Sequence, residues 1–170
     1  MQPHEKKEAQ RLFQPTAQDP AITIENLSDD VYESAPPAVK SRILSELVGR
    51  VYAAAPPVEK TRLVAHLMRP LGILSLVAVA NGVFASIRFR GASIDFPVGI
   101  EDVKNVQTSD VIALASYAQQ VSMQAVDGLT QVLTTSPAMM STAAALLLVQ
   151  ILMRQSRKRR IKDVGFSRVN

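Results

Sequence analysis

The stretch VLTTSPAMMSTAAALLLVQILM occupies positions 132–153, and the basic segment RQSRKRRIK follows it directly at 154–162. A bilayer core about 30 Å thick is crossed by roughly 20 apolar residues in a helix. The apolar stretch has no charged side chain, and its polar residues are Ser, Thr, Pro and Gln. Basic residues just after such a stretch favour the cytoplasmic side of a membrane. The pattern therefore predicts a transmembrane helix at 132–153.

A second uncharged run, at 71–87, follows Pro70 and is a weaker candidate for a span because it contains Asn81 and two glycines. It fits either a second transmembrane helix at about 70–87 or a buried helix of a bundle. With spans at both places, nine Lys and Arg residues precede the first, three lie between and seven follow the second. Positive residues are retained on the inside, so we predict a transmembrane hairpin, a membrane location and both termini in the cytoplasm.

An internal repeat of 20 residues lies ahead of these runs, where VYESAPPAVKSR at 31–42 returns as VYAAAPPVEKTR at 51–62. Each Pro-Pro pair is suited to begin a helix and cannot continue one, so two helices are expected at about 38–54 and 58–69. Both carry an apolar stripe at helical spacing. The stripes either form a docking surface for a partner or pack on each other as an αα-hairpin. The candidate partner-binding residues are Ile43, Leu47, Leu63 and Leu67.

The remaining segments are an arm, a loop region and a tail. Residues 1–30 show no sustained helix face and are predicted to be a flexible arm. Within the predicted loop region 88–131, residues 87–96 alternate apolar and polar on both sides of a glycine, which predicts a small β-hairpin. After capping residues at 108–110, an amphipathic helix is expected to about Asp127.

Composition supports a mainly α-helical fold. Of the 170 residues, 47% are hydrophobic but only 5% are aromatic, and Ala, Val and Leu supply much of the apolar mass. These residues suit helices better than sheets in this combination. The chain has no cysteine, which excludes disulfides, thiolate nucleophiles and metal sites built on Cys. We therefore predict a short helical-repeat hairpin, two long apolar helices and one small β-hairpin.

No pattern of catalytic residues is found in the sequence. The two histidines, His4 and His66, lack the spacing of a paired metal site. Phosphate-binding glycine loops and nucleophile elbows are also absent from the sequence. The prediction is a protein that is not an enzyme and has no cofactor and no metal site.

The C-terminal tail, 154–170, holds seven Lys and Arg residues and one acid, Asp163. Such a cluster can bind anionic lipid headgroups or neutralise the phosphates of a nucleic acid. Its position directly after an apolar run favours headgroups. The candidate anion-binding residues are Arg154, Arg157, Lys158, Arg159, Arg160 and Lys162.

The preferred interpretation of the whole chain is a small integral membrane scaffold or assembly protein. It would act by binding and oligomerisation, with a protein partner or a second copy held through 31–69 and anionic lipid held by the tail. The alternative is a soluble, oligomeric α-helical binding protein whose basic tail holds nucleic acid or another anionic polymer.

Overall fold

The computed structural model describes residues 29–90 and 98–166, and within these ranges the chain forms helices and no strand. The prediction of a mainly helical fold is confirmed. In chain order the helices are α1 (Asp29–Ser34), α2 (Pro37–Ala54), α3 (Pro57–Met68), α4 (Ile73–Ala78), a short 3₁₀ helix (Ala80–Gly82), α5 (Val83–Arg90), α6 (Ile100–Val103), α7 (Thr108–Val121), α8 (Met123–Asp127), α9 (Leu129–Thr134), α10 (Pro137–Met140) and α11 (Ala143–Phe166).

Each copy of the 20-residue repeat forms the same corner between two helices. In the first copy, the amide N–H of Ala35 donates to the carbonyl oxygen of Tyr32 at 3.2 Å, and α2 then begins at Pro37. The ammonium of Lys40 lies 5.6 Å from the centre of the Tyr32 ring, which places it within cation–π distance.

The second copy repeats this arrangement between α2 and α3. The amide N–H of Ala55 donates to the carbonyl oxygen of Tyr52 at 3.2 Å, and the ammonium of Lys60 lies 5.0 Å from the centre of the Tyr52 ring. Proline at the first helical position loses no intrahelical hydrogen bond, because that amide would have no partner in the helix. The repeated sequence is therefore a repeated helix corner.

Helix α2 packs mainly against α7 and α11. The crossing with α7 is close at Gly49, where a Cβ atom would lie 2.4 Å from Cγ1 of Ile112. The buried Oγ of Ser45 accepts a hydrogen bond from Nε2 of Gln119 at 2.8 Å, which joins the same two helices. Helix α3 packs against α6, α7 and α9.

The apolar stretch at 132–153 is divided among α9, α10 and α11. Helix α10 begins after Ser136, whose hydroxyl accepts from the amide of Met139, and Pro137 cannot extend α9 because it has no amide hydrogen. A second break follows at 141–142, and Thr142 accepts from the amide of Ala145 at 3.2 Å. The prediction of a transmembrane helix at 132–153 is therefore wrong, because capping residues and a proline cut the run into short pieces.

The run at 70–87 is divided as well. Ala80, Asn81 and Gly82 have positive φ angles of 49°, 54° and 79°, and this left-handed turn separates α4 from α5. Leu76 and Phe84 are completely buried, so the two halves contribute to the protein core. The prediction of a second span is wrong, and the alternative of buried helical structure describes this segment.

Within residues 29–90 and 98–166, no helix combines the length with the apolar content that a bilayer crossing requires. The predicted transmembrane hairpin, the membrane location and the resulting placement of both termini are contradicted by this finding.

The β-hairpin predicted at 87–96 is also wrong. Residues 87–90 form the last turn of α5, and 91–97 lie outside the described residues. In helical form this segment buries Ile87, which is 1% exposed, and leaves Phe89 at 66%. The alternation that predicted the hairpin spans 87–96, and the four of these positions that the structure describes, 87–90, fit the end of a helix as well as a strand. The flexible arm predicted at 1–30 falls mostly outside the described residues.

Candidate functional site

The C-terminal helix α11 begins in the core and continues beyond it. Its first three turns bury Ala145, Leu148 and Leu152, which have no solvent exposure. Further along, Ile161 is 72% exposed and Val164 is 67% exposed. The basic segment thus lies on the part of the helix that leaves the core, and this exposure makes it the first candidate for a binding surface.

Two of the six candidate basic residues form ion pairs that join α11 to other helices. Lys158 forms an ion pair with Glu33 of α1, and Arg159 forms one with Asp127 at the end of α8. The hydrogen bond from Lys158 is the main reason that the pKa of Glu33 is below its usual value. These contacts attach α11 to helices that are far away in the sequence, so Lys158 and Arg159 hold the helix in place.

Three other candidates, Arg157, Arg160 and Lys162, are exposed. Within the described residues none of them forms an ion pair with a carboxylate. Arg157 and Arg160 are three residues apart and therefore lie on the same side of the helix. Arg154 is exposed too, but it has an interaction within the protein. The sequence pattern thus identified one cluster, and the structure divides it into anchoring cations and available cations.

A pocket of about 210 Å³ lies beside the anchored part of α11. Its described lining comes from the first corner, α7, α8 and α11, and consists of Tyr32, Pro37, Lys40, Ser41, Leu44, Gln119, Gln120, Val126, Gln155 and Arg159. Nε2 of Gln155 donates a hydrogen bond to the Tyr32 hydroxyl. Burial is the largest cause that raises the pKa of Tyr32 to about 12, followed by the negative charge of Glu33. The phenol is therefore protonated at neutral pH and is able to donate its own hydrogen.

The four candidate partner-binding residues lie inside the core. Ile43 and Leu47 of α2 are 6% and 1% exposed, and Leu63 and Leu67 of α3 have no exposure. Helix α2 directs its stripe mainly at α7 and α11 rather than at α3, so the two stripes join a larger core instead of a separate αα-hairpin. A partner would reach these side chains only if the helices separated.

Of the two histidines, the structure describes only His66, which makes a contact between two helices. Nε2 of His66 lies 2.9 Å from the carbonyl oxygen of Ala125, and this contact crosses from α3 to α8. Gly128 permits the approach, because a Cβ atom there would lie 2.6 Å from Cε1 of the His66 ring. Among residues 29–90 and 98–166, no group of three potential ligands is placed to hold a metal ion. His4 lies outside the described residues.

No protein-family model, curated protein or solved structure matches this chain.

The sequence does not predict the pocket, although the repeat contains two of the residues that line it, Tyr32 and Lys40. Tyr32 and Lys40 recur as Tyr52 and Lys60, and a stacked pair repeated at identical spacing indicates a structural unit. The ion pairs that attach α11 had no sequence signal, because their acidic partners lie 125 and 32 positions away.

Proposed function

We propose that this chain is a helical binding protein whose C-terminal helix α11 binds nucleic acid through its phosphates. The observation that carries the proposal is the set of available cations, Arg157, Arg160 and Lys162, on the part of α11 that leaves the core. Anchoring of this helix by Lys158 and Arg159 supports it further, since the available cations are held on an ordered helix rather than on a free tail.

The arrangement suits contacts to phosphates and lacks the means to distinguish bases. Arg157 and Arg160 are separated by about 4.5 Å along the helix axis, at 1.5 Å per residue, and an Arg side chain can reach a phosphate with two parallel hydrogen bonds. No aromatic residue lies between Arg154 and Lys162, so stacking on bases is not provided there. Binding is expected to be independent of sequence.

The strength and the salt dependence follow from the number of cations. Lys162 lies two residues beyond Arg160 and so points to another side of the helix, which leaves Arg157 and Arg160 as the pair that contacts one phosphate backbone. Two phosphate contacts give a slope of log K against log salt of about −1.8 for duplex DNA, at roughly −0.9 per contact. Affinity at physiological salt should lie in the range of about 10⁻⁴ to 10⁻⁶ M that is typical of binding without sequence preference.

The test is fluorescence anisotropy with a labelled duplex of about 20 base pairs, measured at several salt concentrations between about 50 and 200 mM, where phosphate binding changes steeply. In the double variant Arg157→Gln/Arg160→Gln, the slope should decrease in magnitude by about 1.8, because two phosphate contacts are lost. A second duplex with a permuted sequence should bind equally well.

A matched control changes the net charge by the same amount at other exposed arginines. The variant Arg50→Gln/Arg69→Gln alters α2 and the end of α3 and should keep the slope of the unmodified protein. Absence of binding at the lowest salt, or equal losses in the two double variants, would contradict the proposal. Binding to vesicles of anionic phospholipid without binding to the duplex would also overturn it, and would assign the same cations to a lipid surface.

A further inference from the structure

The pocket beside Tyr32 combines apolar walls with cationic side chains. Pro37, Leu44, Val126 and the Tyr32 ring provide apolar surface, whereas Lys40 and Arg159 bring positive charge. No carboxylate occurs among the described residues that line it. We propose that this pocket binds a small monocarboxylate with an apolar body, a function that is separate from the binding of nucleic acid.

Among the described residues around the pocket, one cation forms no ion pair, and its charge acts on the Glu33 carboxylate only from a longer distance. Glu33 is paired with Lys158, and Asp127 is paired with Arg159. The remaining cation is Lys40, whose ammonium lies over the Tyr32 ring at 5.6 Å from its centre. Lys40 is only partly buried, and it adds one positive charge beside the apolar wall, so this pocket suits an anion with a single negative charge better than a phosphate dianion.

Hydrogen-bond donors are available at the same place. The Tyr32 hydroxyl accepts from Gln155 and, within the described chain, donates to no acceptor. Arg159 has five N–H donors, and its ion pair with Asp127 is made through one terminal nitrogen, Nη1. A carboxylate has about four lone-pair sites and accepts from a phenol, a guanidinium and an ammonium together.

The size of the pocket limits the apolar body. A cavity of about 150 Å³ lined by apolar side chains holds benzene, which has six non-hydrogen atoms, so a proportional estimate for this larger pocket is about eight such atoms. Hexanoate has that number, and its hydrocarbon chain matches the wall formed by Leu44 and Val126. Hexanoate is therefore the probe, and its neutral analogue hexanamide has nearly the same shape.

The experiment is a titration of the ¹⁵N-labelled full chain with each probe, followed in ¹H–¹⁵N spectra through the side-chain amide signals of Gln119 and Gln155. Hexanoate should shift these signals in a saturable way, with a Kd on the order of 1 mM for a ligand of this size. Hexanamide should bind at least tenfold more weakly, because it cannot pair with the Lys40 charge. Equal binding of the two probes, or no saturable shift, would overturn the proposal.

The repeat supplies a matched pair of variants. Lys40→Met and Lys60→Met both remove an ammonium from a tyrosine ring and keep an apolar chain there, but only Lys40 lines the pocket. Lys40→Met should weaken hexanoate binding at least fivefold, and Lys60→Met should leave it unchanged. Equal affinities of the two variants would contradict the assignment.

Two further variants keep the outcome decisive. Tyr32→Phe retains the ring and removes the hydroxyl donor, so it should also weaken hexanoate binding severalfold if the amide spectrum remains that of a folded chain. Arg157→Gln/Arg160→Gln should retain full hexanoate affinity, since neither residue lines the pocket. Failure of the pocket proposal and failure of the nucleic-acid proposal are therefore distinguished by different variants.

Discussion

A methyl group added at Gly49 tests the close crossing of α2 and α7. The Cβ atom of an alanine at this position would lie 2.4 Å from Cγ1 and 2.9 Å from Cδ1 of Ile112. Favourable contacts between carbon atoms lie at about 3.5–4.0 Å, so the new methyl group overlaps the isoleucine by more than about 1 Å. Cγ1 is close to the backbone of α7 and cannot move far unless the helices separate.

Two opposing effects determine the change in the free energy of unfolding. Overpacking of a core costs about 1–3 kcal/mol, and an overlap with an atom next to Cβ belongs near the upper end of that range. Replacement of glycine by alanine inside a helix stabilises by about 1 kcal/mol. Gly49→Ala should therefore destabilise the protein by about 2 kcal/mol, whereas propensity alone would stabilise it.

The variant Ile112→Ala removes both clashing atoms and supplies the matched background. There, Gly49→Ala should stabilise by about 1 kcal/mol, so the coupling between the two sites should be about 3 kcal/mol. The assay is urea unfolding of the four proteins, followed by circular dichroism with the slope m compared between them. An equal effect of Gly49→Ala in both backgrounds, or stabilisation in the unmodified protein, would refute the close crossing.

The other predictions concern a buried phenol and a second glycine. The single hydroxyl hydrogen of Tyr52 is shared between the carbonyl oxygens of Val103 and Val106, which lie 3.1 and 3.0 Å from the hydroxyl oxygen. Tyr52→Phe should therefore lower the free energy of unfolding by about 1–2 kcal/mol in urea, and no loss would contradict the role of that hydroxyl. Burial raises the pKa of Tyr32 and Tyr52 from 10.0 to about 12, and the negative charge of Asp110 adds to the effect at Tyr52. Because the folded state then keeps these protons longer than the unfolded state, stability should fall as pH rises from 10 to about 12, and Tyr52→Phe should weaken that fall; an unchanged pH profile would argue against it. Gly128→Ala should displace the His66 ring and destabilise by about 1–3 kcal/mol, measured by thermal unfolding, with little further loss in a His66→Ala background.

The helix corners were the part of the fold that the sequence predicted best. Proline cannot donate an amide hydrogen, so Pro37 and Pro57 determine where α2 and α3 begin, and the structure has these helices within one residue of the expected bounds. This constraint is local, and it does not depend on what surrounds the helix. Local rules of this kind remain valid in any environment.

Hydropathy alone does not distinguish a membrane span from a buried helix of the core, because it measures only that a side chain avoids water. Leu148 and Leu152 satisfy that preference by packing in the protein core, where they have no exposure, just as they would in lipid. The distinguishing signal was present in the polar residues of the same run, since Ser136 and Thr142 cap new helices. A continuous span needs an unbroken helix, and the sequence Ser-Pro inside the run argues against one.

The candidate site could be predicted only in part. Charge density alone identified the basic segment, but the division into anchoring and available cations depends on tertiary contacts. Lys158 anchors α11 because folding brings Glu33 of α1 next to it. No sequence-spacing rule connects residues so far apart in the chain. The pocket is lined by four chain segments that meet only after folding, so no pattern within one segment predicts it.

The contacts between α1 and α11 have a consequence for the order of folding. Tyr32 with Gln155 and Glu33 with Lys158 close loops of 123 and 125 positions, and long loops lose more chain entropy on closure than short ones. The groups that join α1 to α11 are polar and partly exposed. These two helices should therefore come together late in folding and separate at lower cost than the apolar core. When α1 and α11 separate, Lys158 loses Glu33 as its counter-ion. A polyanion that binds this form contacts one more positive charge, and its binding shifts the population toward the form with α1 and α11 apart.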